Sequence, residues 1–299
     1  ICNIIRKKNI KKIFIDESAF GKLVYRIKKK FPSVLVVTFY HDIGKMLYPQ
    51  WLKNKGIKYL PDYIGSMHGE KLNQKYSDCN LVLNQRDYFV FKKAYNKNPD
   101  GLLPAAVAEP DFSLEEAKEF DFSQKQKDEK YILFVGSKYY PNIVGLSWFV
   151  KNVFVNLSHK FKLIVIGRGM ECVEENYKNN TRIFIVGGVE FLAPFYNNAD
   201  VVIAPLFDGG GMKQKTAEAL AYGKTFVGTK ESLYGYEEAL GIQHDGECVV
   251  FSEDNAKNQI EIFEKIDEKN LYGRYKELTD LFENNYSKEA IKNKLIEVL

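Results

Sequence analysis

Pro205-Leu206-Phe207-Asp208-Gly209-Gly210-Gly211-Met212-Lys213-Gln214-Lys215-Thr216-Ala217-Glu218-Ala219-Leu220-Ala221-Tyr222-Gly223 is the stretch on which the reading of the fold turns. Ahead of it, Val201–Pro205 is a short apolar run of strand type, and Lys213–Tyr222 has the pattern of a helix. Three glycines stand between them. A strand that opens through glycines into a helix offers backbone N–H groups and a positive helix end to a diphosphate. Lys213 and Lys215 are spaced to neutralise phosphate charge, and Glu218, further along the helix, suits paired ribose hydroxyls. A glycine run alone fits a surface loop, and a lone helix glutamate fits a solvated face. Their combination at a strand-to-helix junction points to phosphate. Neither a Walker A pattern nor a GxGxxG dinucleotide fingerprint occurs.

Outward from this stretch the α/β rhythm continues. Tyr131–Gly136, Lys162–Gly167, Thr181–Val186, Lys224–Thr229 and Gly246–Phe251 are expected strands. Pro141–Asn156 and Phe191–Asn197 are expected helices, and the chain beyond Asp254 is mostly helical. Continuous apolar runs such as Ile132–Val135 and Leu163–Ile166 suit strands buried on both faces of a parallel sheet. The first third repeats the rhythm, with strands over Ile10–Ile15, Ser33–Thr38 and Asn80–Asn84 and helices over Ala19–Lys30 and Gly69–Tyr76. Between the two halves, Pro104–Pro110 and the charged Glu115–Lys130 have the composition of a linker. The expected fold class is therefore α/β, with two Rossmann-like doubly wound domains. The first spans 1–112, a linker spans 113–129, the second domain spans 130–280, and 281–299 is a C-terminal helix crossing back to the first. Ligands of open parallel sheets bind beyond the strands' C-terminal ends. Gly136-Ser137-Lys138, Gly167-Arg168-Gly169 and Gly187-Gly188 stand at such ends.

The chain has 299 residues, 45% apolar and 27% charged, which suits a folded protein and excludes wholesale disorder. No apolar run approaches the roughly 18 residues of a spanning helix. A net charge of +4 is too small to argue for nucleic acid, and no nucleic-acid partner is expected. The basic residues crowd the first thirty positions, in Arg6-Lys7-Lys8, Lys11-Lys12 and Lys28-Lys29-Lys30. Such a face leaves a peripheral membrane contact or a phosphate-rich acceptor open, with ordinary helix surface as the alternative. The cysteines (Cys2, Cys79, Cys172, Cys248) and histidines (His41, His68, His159, His244) are dispersed, so no metal site is expected. Free thiols fit a reducing cytoplasm.

From Lys130 to Glu238 the sequence resembles the C-terminal domain of retaining glycosyltransferases with the GT-B fold, family 4, the "glycosyl transferases group 1" type. The matching pieces follow the family's order. They are Phe134-Val135-Gly136, then Asn142, Gly145 and Trp148-Phe149, then Leu163–Gly167 with Arg168-Gly169. Gly187-Gly188-Val189, Asn198–Pro205, Gly211–Lys215 and Glu218–Gly223 complete the run. The resemblance implies two domains facing across a cleft and a nucleotide-diphosphate sugar as co-substrate, with no other cofactor. Glu218 resembles the glutamate that binds the ribose. Gly210, Gly211, Met212 and Lys213 would hold the diphosphate, and Gly187 to Val189 would line the base. Gly136 and Ser137 complete the donor side. Lys215 and Arg168 would stabilise the departing diphosphate. Val36–Asp42 resembles the strand and loop that carry an active-site histidine, which puts His41 by the sugar. Asp42, Asn84 and Arg86 fall on the acceptor side. Two departures stand out: Gly210 occupies the position of the first motif glutamate, and Ser137-Lys138 replaces an Arg and Lys common in relatives. The implied activity is metal-independent, retaining hexosyl transfer to a glycan, lipid-linked or other hydroxyl acceptor. That places the chain in polysaccharide biosynthesis, in the cytoplasm or at the inner face of the membrane. The alternative is a non-catalytic GT-B-like module that binds a nucleotide or a partner. The chain opens without a Met and enters in mid-domain, so an N-terminally incomplete first domain is expected.

Overall fold

The computed structural model describes residues 1–45, 49, 52 and 56–298. The chain divides into two compact units. The first comprises Ile1–Ala105, Gly210–Met212 and Lys292–Leu299, and the second Ala106–Gly209 and Lys213–Ile291.

In the first unit, β1 (Lys12–Ile15), β2 (Leu35–Tyr40), β3 (Cys79–Val82) and β4 (Gly101–Leu102) form a parallel sheet in chain order, so β1 ends the sheet. Helices Gly21–Lys30, Leu60–Tyr76 and Gln85–Tyr95 fill the three connections, and a short helix, Cys2–Lys7, precedes β1. Val24 and Ile27 of the first crossover helix pack with Ile5, Ile15, Val34 and Val36. The helix Gln85–Tyr95 is absent from the sequence expectation. Its signal is Asn84, whose Oδ1 accepts from the Asp87 N–H at 3.0 Å, a side-chain cap at a helix start.

The second unit carries β5 (Lys130–Val135), β6 (Phe161–Ile166), β7 (Ile183–Gly187), β8 (Val201–Ala204) and β9 (Thr225–Gly228). A hairpin, β10 (Gln243–His244) with β11 (Glu247–Cys248), precedes β12 (Val250–Ser252). The main sheet is parallel, in the order β12-β9-β8-β5-β6-β7. The strand expected over Gly246–Phe251 is thus two strands. Asp245 (φ 50°) and Gly246 (φ 81°) turn the chain tightly into β11, and β12 joins β9. The apolar runs are buried as expected: Ile132, Phe134, Leu163, Val165, Val201 and Ile203 form one core with Phe149, Phe154 and Phe263.

The division between units falls between Ala105 and Ala106. Residues 113–129, expected as a linker, lie along the second unit. Phe120 packs on Phe184 and Phe122 on Phe195, each with ring centroids 5.3 Å apart. Lys125 Nζ lies 2.5 Å from Asp200 Oδ2, and the Tyr131 N–H donates to the same oxygen at 2.6 Å. These contacts explain why a stretch with little apolar content is ordered. At the C-terminus, helices Lys276–Asn285 and Lys288–Val298 follow one another, and residues from Lys292 count with the first unit. Leu299 lies outside the described residues.

Candidate functional site

In the second unit β5 sits between β8 and β6. The chain runs from β5 outward through β6 and β7, then returns to the other side of β5 for β8. The gap beyond the ends of β5 and β8 is therefore the point where strand order reverses, the usual place for a ligand in such sheets. The turns at these ends are level with one another. Gly136 N donates to Ile166 O at 2.9 Å, Gly167 N to Gly187 O at 2.6 Å, and Lys138 N to Arg168 O at 2.9 Å. Helix Tyr140–Asn152 follows β5, and helix Gln214–Ala221 follows the glycine loop after β8. In neither does the N-cap side chain bond into the first turn. Two positive helix ends with no side-chain cap thus meet at the reversal point. Gly145 sets their spacing, because a Cβ there would overlap the Pro205 carbonyl oxygen.

Lys215 is buried beneath this edge. Its Nζ donates to Asn142 Oδ1 at 2.8 Å and lies 4.5 Å from the centroid of the Phe134 ring. Asn142 Nδ2 in turn donates to Ser137 O at 2.9 Å, tying the lysine to the turn after β5. Burial pushes the Lys215 ammonium down to about 7; Glu218 opposes that shift and Lys213 adds to it. Glu218, one turn further on, is pushed up, also by burial, although Tyr196 and Lys215 pull it back. Tyr196 OH donates to Glu218 Oε2 at 2.6 Å. The Tyr196 ring stacks on Tyr222 at 4.9 Å, and Tyr222 OH accepts from the Asp111 N–H at 3.2 Å. Lys213 is committed differently, with its Nζ 2.8 Å from Glu231 Oε1 and both side chains largely covered.

At the end of β7, Gly187 adopts φ 80°, and a Cβ there would run into the Glu171 carboxylate. Glu171 Oε1 accepts the Gly188 N–H at 2.8 Å, which holds that carboxyl below its usual value. Val189 is half-buried, while Ser137 and Arg168 are exposed.

The remaining expected residues belong to the first unit. His41 follows β2, and its Nε2 lies 2.8 Å from Oδ1 of Asp16, which follows β1. The His41 ring meets Phe39 edge-on at 4.6 Å. The loop behind it is anchored by buried Glu70, which accepts from the Gly44 N–H at 2.7 Å, from Ser18 Oγ at 3.1 Å and from Tyr95 OH. Burial raises the Glu70 carboxyl. Gly210–Met212 count with this unit, where Arg86 Nη2 donates to Gly211 O at 3.3 Å. A Cβ at Gly210 would overlap Asp42 Oδ1. Asn84 acts here as a helix cap, and its Nδ2 is buried with no hydrogen-bond partner among the described residues.

Within the second unit the structure therefore brings Gly136, Ser137, Gly187, Lys213, Lys215 and Glu218 to one sheet edge. Within the first it brings His41 and Asp42 to the end of β2, and Asn84 and Arg86 to the end of β3. Asp16, Glu171, Tyr196 and Glu231 were not anticipated. Asp16 was legible, since it follows a strand as directly as His41 does. The other three reach their partners only through tertiary packing. Among the described residues no three His, Cys, Asp or Glu side chains are gathered to hold a metal ion.

Residues 129–266 match the family described as Glycosyl transferases group 1. No curated protein matches the chain in sequence. Among solved structures, sucrose-phosphate synthase of Thermosynechococcus elongatus is similar at TM-score 0.74 and 16% identity, over 99% of this chain and 75% of that one. Anabaena HepE in complex with UDP is similar at TM-score 0.71 and 13% identity, over 99% and 80%. TarM gives TM-score 0.69 and 13% identity, over 99% and 57%. At these identities the likeness is one of fold: the chain has the α/β architecture of GT-B glycosyltransferases.

Proposed function

We propose that the chain is a retaining glycosyltransferase of family 4 type that moves a hexosyl group from a nucleotide-diphosphate sugar to a hydroxyl of a glycan or lipid-linked acceptor. The observation that carries this is the pair Lys215, buried, and Glu218, half-buried, on one helix whose uncapped start stands at the reversal point of the second sheet. Glu218 would accept the ribose hydroxyls in place of the Tyr196 hydroxyl. Lys215, the helix-start N–H groups and Arg168 would stabilise charge on the departing diphosphate, the role a metal fills in other transferases. Gly187 to Val189 would line the base. His41, oriented by Asp16, would meet the sugar or the acceptor, with Asp42 and Arg86 nearby. The HepE structures hold UDP and UDP-glucose, which supports a nucleotide-sugar donor.

A panel of UDP, GDP and ADP with their glucose conjugates, read by thermal stabilisation, tests the donor assignment. The Glu218→Gln chain should bind the stabilising nucleotide at least about tenfold more weakly, as expected when a charged acceptor is removed. Equal affinity would sink the ribose assignment. A second reading, a GT-B-like module without turnover, draws on Gly210. The first motif glutamate is absent there, and Asp42 fills the space a side chain would need. Release of nucleoside diphosphate from the nucleotide sugar by this chain would exclude that reading.

A further inference from the structure

His41 and Asp16 sit on separate segments of the first unit, one after β2 and the other after β1, and their side chains are 45% and 70% exposed. An exposed pair of this kind contributes too little to hold two loops in register by itself. The register has to come from the structure beneath, and one buried side chain supplies it. Glu70 Oε1 accepts the Gly44 N–H at 2.7 Å, just beyond His41, and Ser18 Oγ at 3.1 Å, just beyond Asp16. The other carboxylate near Ser18 Oγ, that of Glu17, is farther at 3.3 Å. The second oxygen of Glu70, Oε2, takes the Tyr95 hydroxyl. Glu70 is fully enclosed, a placement that costs free energy unless its oxygens are hydrogen-bonded.

Helix Leu60–Tyr76, which carries Glu70, is pinned to the Asp16 segment. A Cβ on Gly69 would stand 2.6 Å from Ala19 O, and Asn73 Nδ2 donates to Ser18 O. The His41 segment has its own attachments. Ile43 is buried with Tyr40, Val82 and Phe91, and Lys45 Nζ donates to Ala94 O at 2.9 Å. Each loop is thus fastened separately, and among the described residues Glu70 Oε1 is the buried acceptor common to both.

We propose that Glu70 is the positioning residue for His41: its Oε1 sets the imidazole against Asp16 and so fixes where the ring stands when a sugar or an acceptor arrives. What this means for turnover rests on the sugar-transfer reading; the placement of the ring does not. The clamp needs an acceptor at Oε1 rather than a negative charge. Glutamine can present its carbonyl oxygen to Gly44 and Ser18 and donate from Nε2 to the Tyr95 oxygen, whereas alanine leaves the two loops without a common acceptor.

Nuclear magnetic resonance of the four histidine rings, in protein carrying labelled histidine, tests the placement without any substrate. His41→Gln assigns the signal, and Asp16→Ala gives the position of an unpaired ring. Glu70→Ala should move the signal toward that position, and Glu70→Gln should leave it in place. Tyr95→Phe, which disturbs only Oε2, should lower the melting temperature without moving it. Should Glu70→Ala not fold, Ser18→Ala, which removes one of the two Oε1 donors, must move the signal in the same direction. Turnover is read as release of nucleoside diphosphate from the nucleotide sugar that binds best. There Glu70→Ala should lose about a hundredfold in kcat with KM for the donor unchanged, the scale of a roughly 1 Å misplacement. Glu70→Gln should stay within about fivefold of wild type. In a His41→Gln background Glu70→Ala should cost nothing further. A His41 signal unmoved in the folded Glu70→Ala chain, displaced in Glu70→Gln, or moved as far by Tyr95→Phe would overturn the proposal, as would additive losses in the double variant. Signals that shift as expected in a chain without turnover would count against the sugar-transfer reading and uphold the placement.

Discussion

Replacing Lys215 by methionine should make the unliganded protein more stable. The ammonium is set against the Phe134 ring and fully enclosed, and its pKa is pushed down from 10.5 to about 7. A depression of about 3.5 units corresponds to about 5 kcal/mol against the protonated form; at pH 7, with about half the population deprotonated, about 4 kcal/mol of that cost remains. Methionine keeps the length and removes the charge. It also leaves Asn142 Oδ1, now 2.8 Å from Nζ, without its donor, which costs about 1–3 kcal/mol. The balance is a gain of about 1–3 kcal/mol at pH 7. The sign of the pH dependence follows from the same group. Between about 7 and 10.5 the unfolded chain holds more protons on this lysine than the folded one, so stability rises with pH in that window. From pH 7 to pH 9 the wild type should gain about 2 kcal/mol relative to Lys215→Met, because groups not coupled to this lysine, including the depressed Lys224, titrate equally in both. Urea titrations followed by circular dichroism at the two pH values measure the gap. A variant less stable than wild type at pH 7, with a gap unchanged at pH 9, would refute the idea that the fold holds this lysine against its charge.

Two further perturbations probe the same site. Tyr196→Phe removes the 2.6 Å donor to Glu218 Oε2 and leaves a half-buried carboxylate short of a partner; calorimetry should record a loss of about 1–3 kcal/mol. Gly145→Ala drives a methyl into the Pro205 carbonyl, so it should cost about 1–3 kcal/mol in denaturant melts and weaken nucleotide binding; an unchanged midpoint would show that the helix and the glycine loop are not in forced contact.

Much of this was legible in the chain, and the boundary of legibility has physical causes. The second sheet was readable because its strands are buried on both faces and so appear as uninterrupted apolar runs, as in Ile132–Val135. The glycines at its strand ends fell where expected because only small residues allow level, hydrogen-bonded turns at such close approach. The helix Gln85–Tyr95 was hidden because its buried face is narrow, with only Asp87 and Phe91 fully covered. Residues 113–129 resembled a tether because their order comes from aromatic contacts to strands far along the chain, which local composition does not report. Lys215 and Glu218 were found by type and spacing. Their enclosure by Asn142 and Tyr196 depends on two other helices and has no local signature.

The commitments of the cations at the second sheet's edge bear on how an anion would be received there. Lys213 is already neutralised by Glu231, and Lys215 is half-deprotonated near pH 7. What the unliganded edge offers is mainly the dipole and N–H groups of two helix starts. A diphosphate bound there would draw Lys215 to full protonation, so binding should take up about half a proton at pH 7 on this lysine alone. It would also compete with Glu231 for Lys213. The turn Lys230–Leu233 that carries Glu231 is held to the same helix from the other side, where Thr216 Oγ1 donates to Ser232 O at 2.7 Å. Of these two ties to that turn, the anion would weaken only the exchangeable ion pair. The neutral hydrogen bond, which cannot follow the charge, would keep the helix start in place while the lysine changes partner.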